Sequence, residues 1–174
     1  MPNYRRYFVP GGTFFFTTNL ARRFPNDLLV REVAALRDAV RRVRVKFPFE
    51  IDAWVVLPDH MHCIWTLPPG DVDYARRWRL IKGGFSKSLP VASDEVSRQR
   101  GRGIWQHRYW EHAIRDQRDF IAHMNYIHFN PVKHGHVARV RDWPYSTFHR
   151  EVSAGVYPGD WGEDVAPDYP VGER

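Results

Sequence analysis

Hydrophobic positions along this chain switch between two periods, and the switches mark out the elements. Phe14-Phe15-Phe16-Thr17-Thr18 is a short aromatic and β-branched run behind Gly11-Gly12, and it reads as a buried strand. From about Asp27 to Phe47 the period lengthens. Leu29, Val33, Leu36, Val40, Val43 and Phe47 recur at steps of three or four and predict a helix with one apolar stripe. Arg37, Arg41 and Arg44 form a second stripe facing away from the core, read first as a solvated face and second as a DNA contact surface. Pro48 ends that helix. Residues Ile51 to Leu57 and His60 to Leu67 read as strands, and the Pro58-Asp59 connection is short enough for an antiparallel hairpin. After the break at Pro68-Pro69-Gly70, Tyr74, Trp78, Ile81 and Phe85 predict a second amphipathic helix whose end Gly83-Gly84 weakens. Pro90 to Gly103 is polar and aperiodic and reads as a flexible loop. Tyr109 to Ile114 reads as a strand, and Arg118 to about Phe129 as a third helix closed by Pro131. The remainder is loop-rich, with Trp143-Pro144-Tyr145 and Trp161-Gly162 expected to tie down a tail by aromatic burial.

The order is strand, helix, hairpin, helix, strand, helix. It predicts an α+β fold, a ferredoxin-like sandwich in which an antiparallel sheet carries helices packed on one side. A length of 174 residues sets one domain as the default, expected over residues 1–150, with a C-terminal tail over 151–174. The chain is 43% hydrophobic, which is enough for a core and excludes a disordered composition. The net charge of +6 and a pI of about 9.7 favour a polyanionic partner, of which nucleic acid is the commonest. The one cysteine, Cys63, excludes an internal disulfide framework and a cysteine-rich zinc site. No run of apolar residues is long enough to span a membrane, and the start has no signal-peptide core, so a cytoplasmic location is expected.

Two segments carry candidate chemistry. In Pro58-Asp59-His60-Met61-His62-Cys63-Ile64 a strand would point His60 and His62 to one face, where two imidazoles can share a divalent metal. A pair of surface or hydrogen-bonded histidines is the plainer reading. In His123-Met124-Asn125-Tyr126-Ile127-His128-Phe129-Asn130-Pro131 helical spacing puts Tyr126 and Asn130 one turn apart on one face. An amide oxygen suits a hard cation, while Tyr126 alone reads equally as a core aromatic. Several chemistries lack their motifs. There is no Gly-rich phosphate cradle with its Lys, so no nucleotide cofactor is expected, and there is no Gly-x-Ser-x-Gly elbow or HExxH site.

Taken together, these segments resemble a known family. Pro58-Asp59-His60-Met61-His62-Cys63-Ile64-Trp65 is similar to the paired-histidine motif of HUH endonucleases. The stretch Asn125-Tyr126-Ile127-His128-Phe129-Asn130-Pro131-Val132-Lys133-His134-Gly135 resembles the tyrosine motif of the REP-associated tyrosine transposases. Tyr4-Arg5-Arg6-Tyr7, Trp105-Gln106-His107-Arg108-Tyr109-Trp110-Glu111-His112 and Asp142-Trp143-Pro144-Tyr145-Ser146-Thr147-Phe148-His149-Arg150 fit in the same order. The resemblance implies the HUH fold, Tyr126 as nucleophile, and Mg²⁺ or Mn²⁺ on His60, His62 and Asn130. It implies cleavage and rejoining of single-stranded DNA at repetitive extragenic palindrome hairpins through a 5′-phosphotyrosine, in a bacterial, nucleoid-associated setting. It further implies a monomer, whereas relatives in mobile elements share active sites between two subunits. Arg5, Arg6, Arg76, Arg77, Lys82 and Lys87 are the expected phosphate or base contacts, and Trp105, Tyr109 and Trp110 the candidate stacking platforms. A hairpin-binding module without catalysis and a mobile-element transposase are the alternatives.

Overall fold

The structure is a computed structural model and describes residues 8–23, 25–90 and 103–164. Four strands, β1 (Thr13–Asn19), β2 (Glu50–Val56), β3 (His60–Thr66) and β4 (Trp110–Ala113), form one sheet in the order β2-β3-β1-β4. All three pairings are antiparallel. The helices α1 (Leu28–Arg31) and α2 (Val33–Lys46) connect β1 to β2, and α3 (Tyr74–Ser88) connects β3 to β4. Each crossover skips one strand, which is the split βαβ arrangement of ferredoxin-like folds.

Strand alternation divides the core into two layers. Phe14 and Phe16 of β1 with Met61, Cys63 and Trp65 of β3 face α2 and α3, and bury Leu36, Trp78 and Phe85 against them. These two helices pack on one side of the sheet, as expected. The opposite face is apolar as well, through Phe15, Ala53, Val55 and Ile64, and it is covered by α4 (Gln117–Lys133) through Met124, Tyr126 and Ile127. Burial on both faces is why β3 reads as a near-continuous apolar run with two histidines in it.

Three boundaries differ from the sequence expectation. The long helix is split at Glu32, whose φ of −103° and ψ of 28° leave the helical region. The fourth strand keeps only the four residues that pair with β1. Pro131 does not close α4 but lies inside its last turn. Its missing N–H removes one hydrogen bond near an end that is closed by other means. Gly135 takes a φ of +71°, its N–H bonds to Val132 O at 2.9 Å, and His136 N–H bonds to Pro131 O at 2.9 Å. That double closure is a Schellman motif, and it needs glycine at the left-handed position.

The chain after α4 returns to the outer edge of β2. Val56 N–H bonds to Tyr145 O at 2.9 Å, Thr147 N–H to Trp54 O at 2.8 Å, and the Trp143 indole to Val56 O at 3.0 Å. A final helix, α5 (Phe148–Ser153), spans the expected domain boundary at residue 150. Tyr157 and Trp161 pack onto a third small core of Phe129, Val140 and Phe148, as the tail's aromatics predict.

Candidate active site

His60 and His62 start β3 and project to the face covered by α4. Each ring is held at Nδ1. His62 Nδ1 lies 2.8 Å from Thr17 Oγ1, its partner across the strand pair. His60 Nδ1 lies 2.6 Å from Asp59 Oδ1, and Asp59 Oδ2 accepts from Arg23 Nε at 2.9 Å. Burial pushes the Asp59 carboxyl up, but the hydrogen bonds from His60 and Arg23 outweigh it and hold the group below the usual carboxylate range. The rings are 5.1 Å apart at 84° and only 2% and 0% exposed. Imidazoles fixed at one nitrogen by a carboxylate or hydroxyl are oriented to ligate through the other.

The tyrosine helix supplies the rest. Tyr126 is buried, with its ring 5.1 Å from that of His62. His134, two turns on, places its ring 5.2 Å from that of His60. Asn130 lies midway between them on the same helical stripe, so it faces the histidine pair. Its side chain is fully buried, and neither Oδ1 nor Nδ2 has a hydrogen-bond partner among the described residues. An unpaired buried amide costs about 1–3 kcal/mol. An amide oxygen on the helical stripe that meets two imidazoles is a donor that suits a divalent cation, so the residues fit the metal that the paired-histidine motif implies. Lys133 carries its ammonium 4.7 Å from the centre of the Tyr126 ring. His128 points away, where Nε2 lies 3.2 Å from Thr147 Oγ1 and the ring contacts Phe148 and Tyr157.

A second cluster fastens the start of α4 to the sheet edge. Asp119 Oδ2 lies 2.8 Å from His112 Nε2 on β4 and accepts from the backbone N–H and Nε of Arg115. His123 Nδ1 lies 2.8 Å from Asp119 O, and its ring stacks on His112 at 4.8 Å. Burial raises the Asp119 carboxyl, yet the bonds from His112 and Arg115 hold it at about 2. Burial also lowers His123, which keeps it neutral at pH 7. Donor atoms of these three side chains lie within 4.8 Å of one another, and their hydrogen bonds are made to each other and to Arg115. His123 is thus anchored to its own helix turn.

The expected DNA contacts fare unevenly. Arg77 is corrected: it is 2% exposed, paired with Asp71 at 2.6 Å, and donates to Phe47 O and Pro48 O. A guanidinium consumed in this way ties α3 to the end of α2 and has no surface to offer phosphate. Lys82 is half-buried over the Trp105 and Tyr109 rings, donates to Gln106 O at 3.2 Å, and burial lowers it to about 8. Arg76 and Lys87 are exposed, but α3 lies on the sheet face opposite His60 and His62. Arg5 and Arg6 lie outside the described residues, as does most of the expected loop from Pro90 to Gly103. Of the three candidate platforms, Trp105 and Tyr109 pack into the core, while Trp110 is 45% exposed and stacks on His112. Thr17, Arg23, Asp59, Asp119 and Lys133 were not singled out from sequence, because what matters about them is a cross-strand or cross-helix contact.

Residues 21–130 match the family described as "Transposase IS200 like". The REP-associated tyrosine transposase of Escherichia coli K12 is 52% identical over 174 residues, covering all of this chain and 98% of its own. A Haemophilus influenzae relative is 45% identical over 166 residues, 93% of this chain and 94% of its own. A solved REP-associated tyrosine transposase bound to a REP hairpin superposes with a TM-score of 0.86 at 52% identity, over all of this chain and 98% of that one. Paired histidines on a central strand, a tyrosine on the covering helix and these relatives agree, and the chain belongs to the IS200-like transposases, in their REP-associated tyrosine branch.

Proposed function

We propose that the chain cuts and rejoins single-stranded DNA beside REP-type hairpins, with Tyr126 as nucleophile and Mg²⁺ or Mn²⁺ held by His60, His62 and Asn130. The observation that carries this reading is Asn130. A fully buried amide without a hydrogen-bond partner, one turn from Tyr126 and facing two pre-oriented histidines, is costly unless it ligates. Tyr126 Oη attacks phosphorus and loses its proton, and the bond to the 3′ oxygen breaks. The products are a 5′-phosphotyrosine and a strand ending in a 3′-hydroxyl. Rejoining is the reverse attack by that hydroxyl, so no nucleotide is consumed. A divalent cation bound there would offset the charge of the non-bridging oxygens as a Lewis acid. Lys133 adds a second positive charge beside the phenol ring.

Tyr126 sits 5.1 Å from His62 of its own chain, which supports a monomer with a complete site rather than a pair sharing two. Among the described residues, no helix is long and apolar enough to cross a membrane. The hairpin bound in the solved relative supports REP-type DNA as the substrate. The test is a labelled hairpin with a single-stranded flank, incubated with Mn²⁺ or with EDTA. Nicking with a covalent protein–DNA adduct is expected in Mn²⁺ only, and both are expected to vanish in Tyr126→Phe. Nicking that survives this substitution would overturn the assignment.

A further inference from the structure

We propose that a groove between α2 and the edge of β2 is a second binding site, for the single-stranded DNA that continues from the Tyr126 site. The groove has a volume of about 630 Å³, and its walls include Arg37, Arg41, Arg44, Arg150 and Tyr145. Glu50 is the one acidic residue in its lining. Arg37 has no ion pair among the described residues, and Arg41 is paired only with the exposed Asp38. Exposed pairs of that kind are worth little and yield readily to phosphate. Arg44 donates to Phe49 O and reaches Glu50, and Arg150 is paired with Glu151 and donates to Ile51 O and Asp52 O, so the charge left over is that of Arg37 and Arg41, which fits a polyanion.

The groove opens on the α2 side of the sheet, opposite His60 and His62, and a line of rings passes around the β2 edge from one to the other. From His60 it runs to His134 at 5.2 Å, to His136 at 6.1 Å, to Trp143 at 5.3 Å and to Tyr145 at 5.6 Å. His134 and His136 are exposed, Trp143 is buried behind them, and Tyr145 is half-buried on the groove wall. Accessible rings toward both ends of this line, beside a basic groove, are the kind of surface on which proteins hold single strands without reading their sequence. The arginine stripe of α2 thereby gains a role beyond that of a solvated face. The strand's polarity and entry point rest on the nuclease reading of Tyr126, but the affinity of the groove for a single strand does not.

The test uses the full chain, fluorescent dT12 and a blunt hairpin, titrated between 50 and 200 mM salt. Arg37→Ala with Arg41→Ala changes two exposed positions on α2 to the best helix former, so folding is retained. The wild type is expected to bind dT12. The variant is expected to bind it roughly ten- to a hundredfold more weakly, with a salt slope shallower by about 1.4 and unchanged blunt-hairpin affinity. No binding of dT12 by the wild type, or equal binding by the two proteins, would overturn the proposal. A wild type that binds dT12 in this arginine-dependent way but never nicks hairpin DNA would sink the nuclease reading alone.

Discussion

His128 lies in the middle of the tyrosine motif, yet the structure gives it a supporting part, and its titration measures how firmly the tyrosine helix is anchored. The ring is fully buried between Phe148 and Tyr157. Burial, then the positive charges of Arg150 and His149, lowers its pKa to about 3. The unfolded value is about 6.5. Because the folded pKa is depressed, the unfolded chain binds the proton first as the pH falls. The stability of neutral His128 is fully present above about pH 6.5 and is lost progressively down to pH 3. At pH 5 the unfolded chain lies about 1.5 units below its pKa, which gives a loss of about 2 kcal/mol at 1.36 kcal/mol per unit. For a domain of this size that lowers Tm by roughly 4–8 °C. His128→Phe retains a ring of similar size and removes the proton. Thr147 Oγ1 keeps its bonds to Trp54 N–H, at 2.8 Å, and Trp54 O, at 3.3 Å, so the substitution strands no hydroxyl. Urea unfolding at pH 7.5 and pH 5, followed by circular dichroism, should show a drop in the wild type about 2 kcal/mol larger than in the variant. Equal drops in the two proteins would refute the argument and place the burial of His128 in doubt.

Asp59→Asn keeps the shape beside His60 but removes the carboxylate that fixes its Nδ1; Mn²⁺ binding measured by calorimetry should weaken by roughly 10- to 100-fold while the fold is retained. Arg77→Met breaks a largely buried pair and leaves three backbone carbonyls without their donor. It should cost about 3 kcal/mol in urea unfolding, at the low end for such pairs because Asp71 is 28% exposed, and should leave the salt slope of DNA binding unaltered. Trp110→Ala removes an exposed ring on the sheet face that carries the histidines; single-strand affinity should fall by about 1–3 kcal/mol with Tm unchanged, and an unchanged affinity would exclude it as a stacking platform.

Periodicity made the strands and helices legible to within a few residues, because both faces of the sheet and one face of each long helix are apolar. It could not show that α4 covers the second face, since a helix of low amphipathicity with nine buried residues has no dominant stripe. That His60 and His62 share one face and Tyr126 and Asn130 another was legible as well. Two residues apart on a strand and four apart on a helix are spacings that impose a shared direction. What holds the two histidines was not, because Thr17 meets His62 across 45 residues and Arg23 meets Asp59 across 36. Arg77 misled for a related reason. In sequence it is one of five cations on a helix, and only the packed structure reveals that Asp71 and the turn at Phe47-Pro48 close around it. Pro131 misled through its usual meaning as a helix stop, which Gly135 takes over four residues later.

On the proposed reading, Tyr126 beside His62 of the same chain has a kinetic consequence. A nucleophile and ligands folded as one unit make strand cleavage first order in protein, with no concentration threshold for assembly. Dilution should slow encounters with DNA but leave the turnover of bound complexes untouched. Each molecule then works on one junction at a time, without news of any other. Events needing two coordinated breaks must draw their timing from the DNA, through the spacing of neighbouring hairpins, and not from the enzyme.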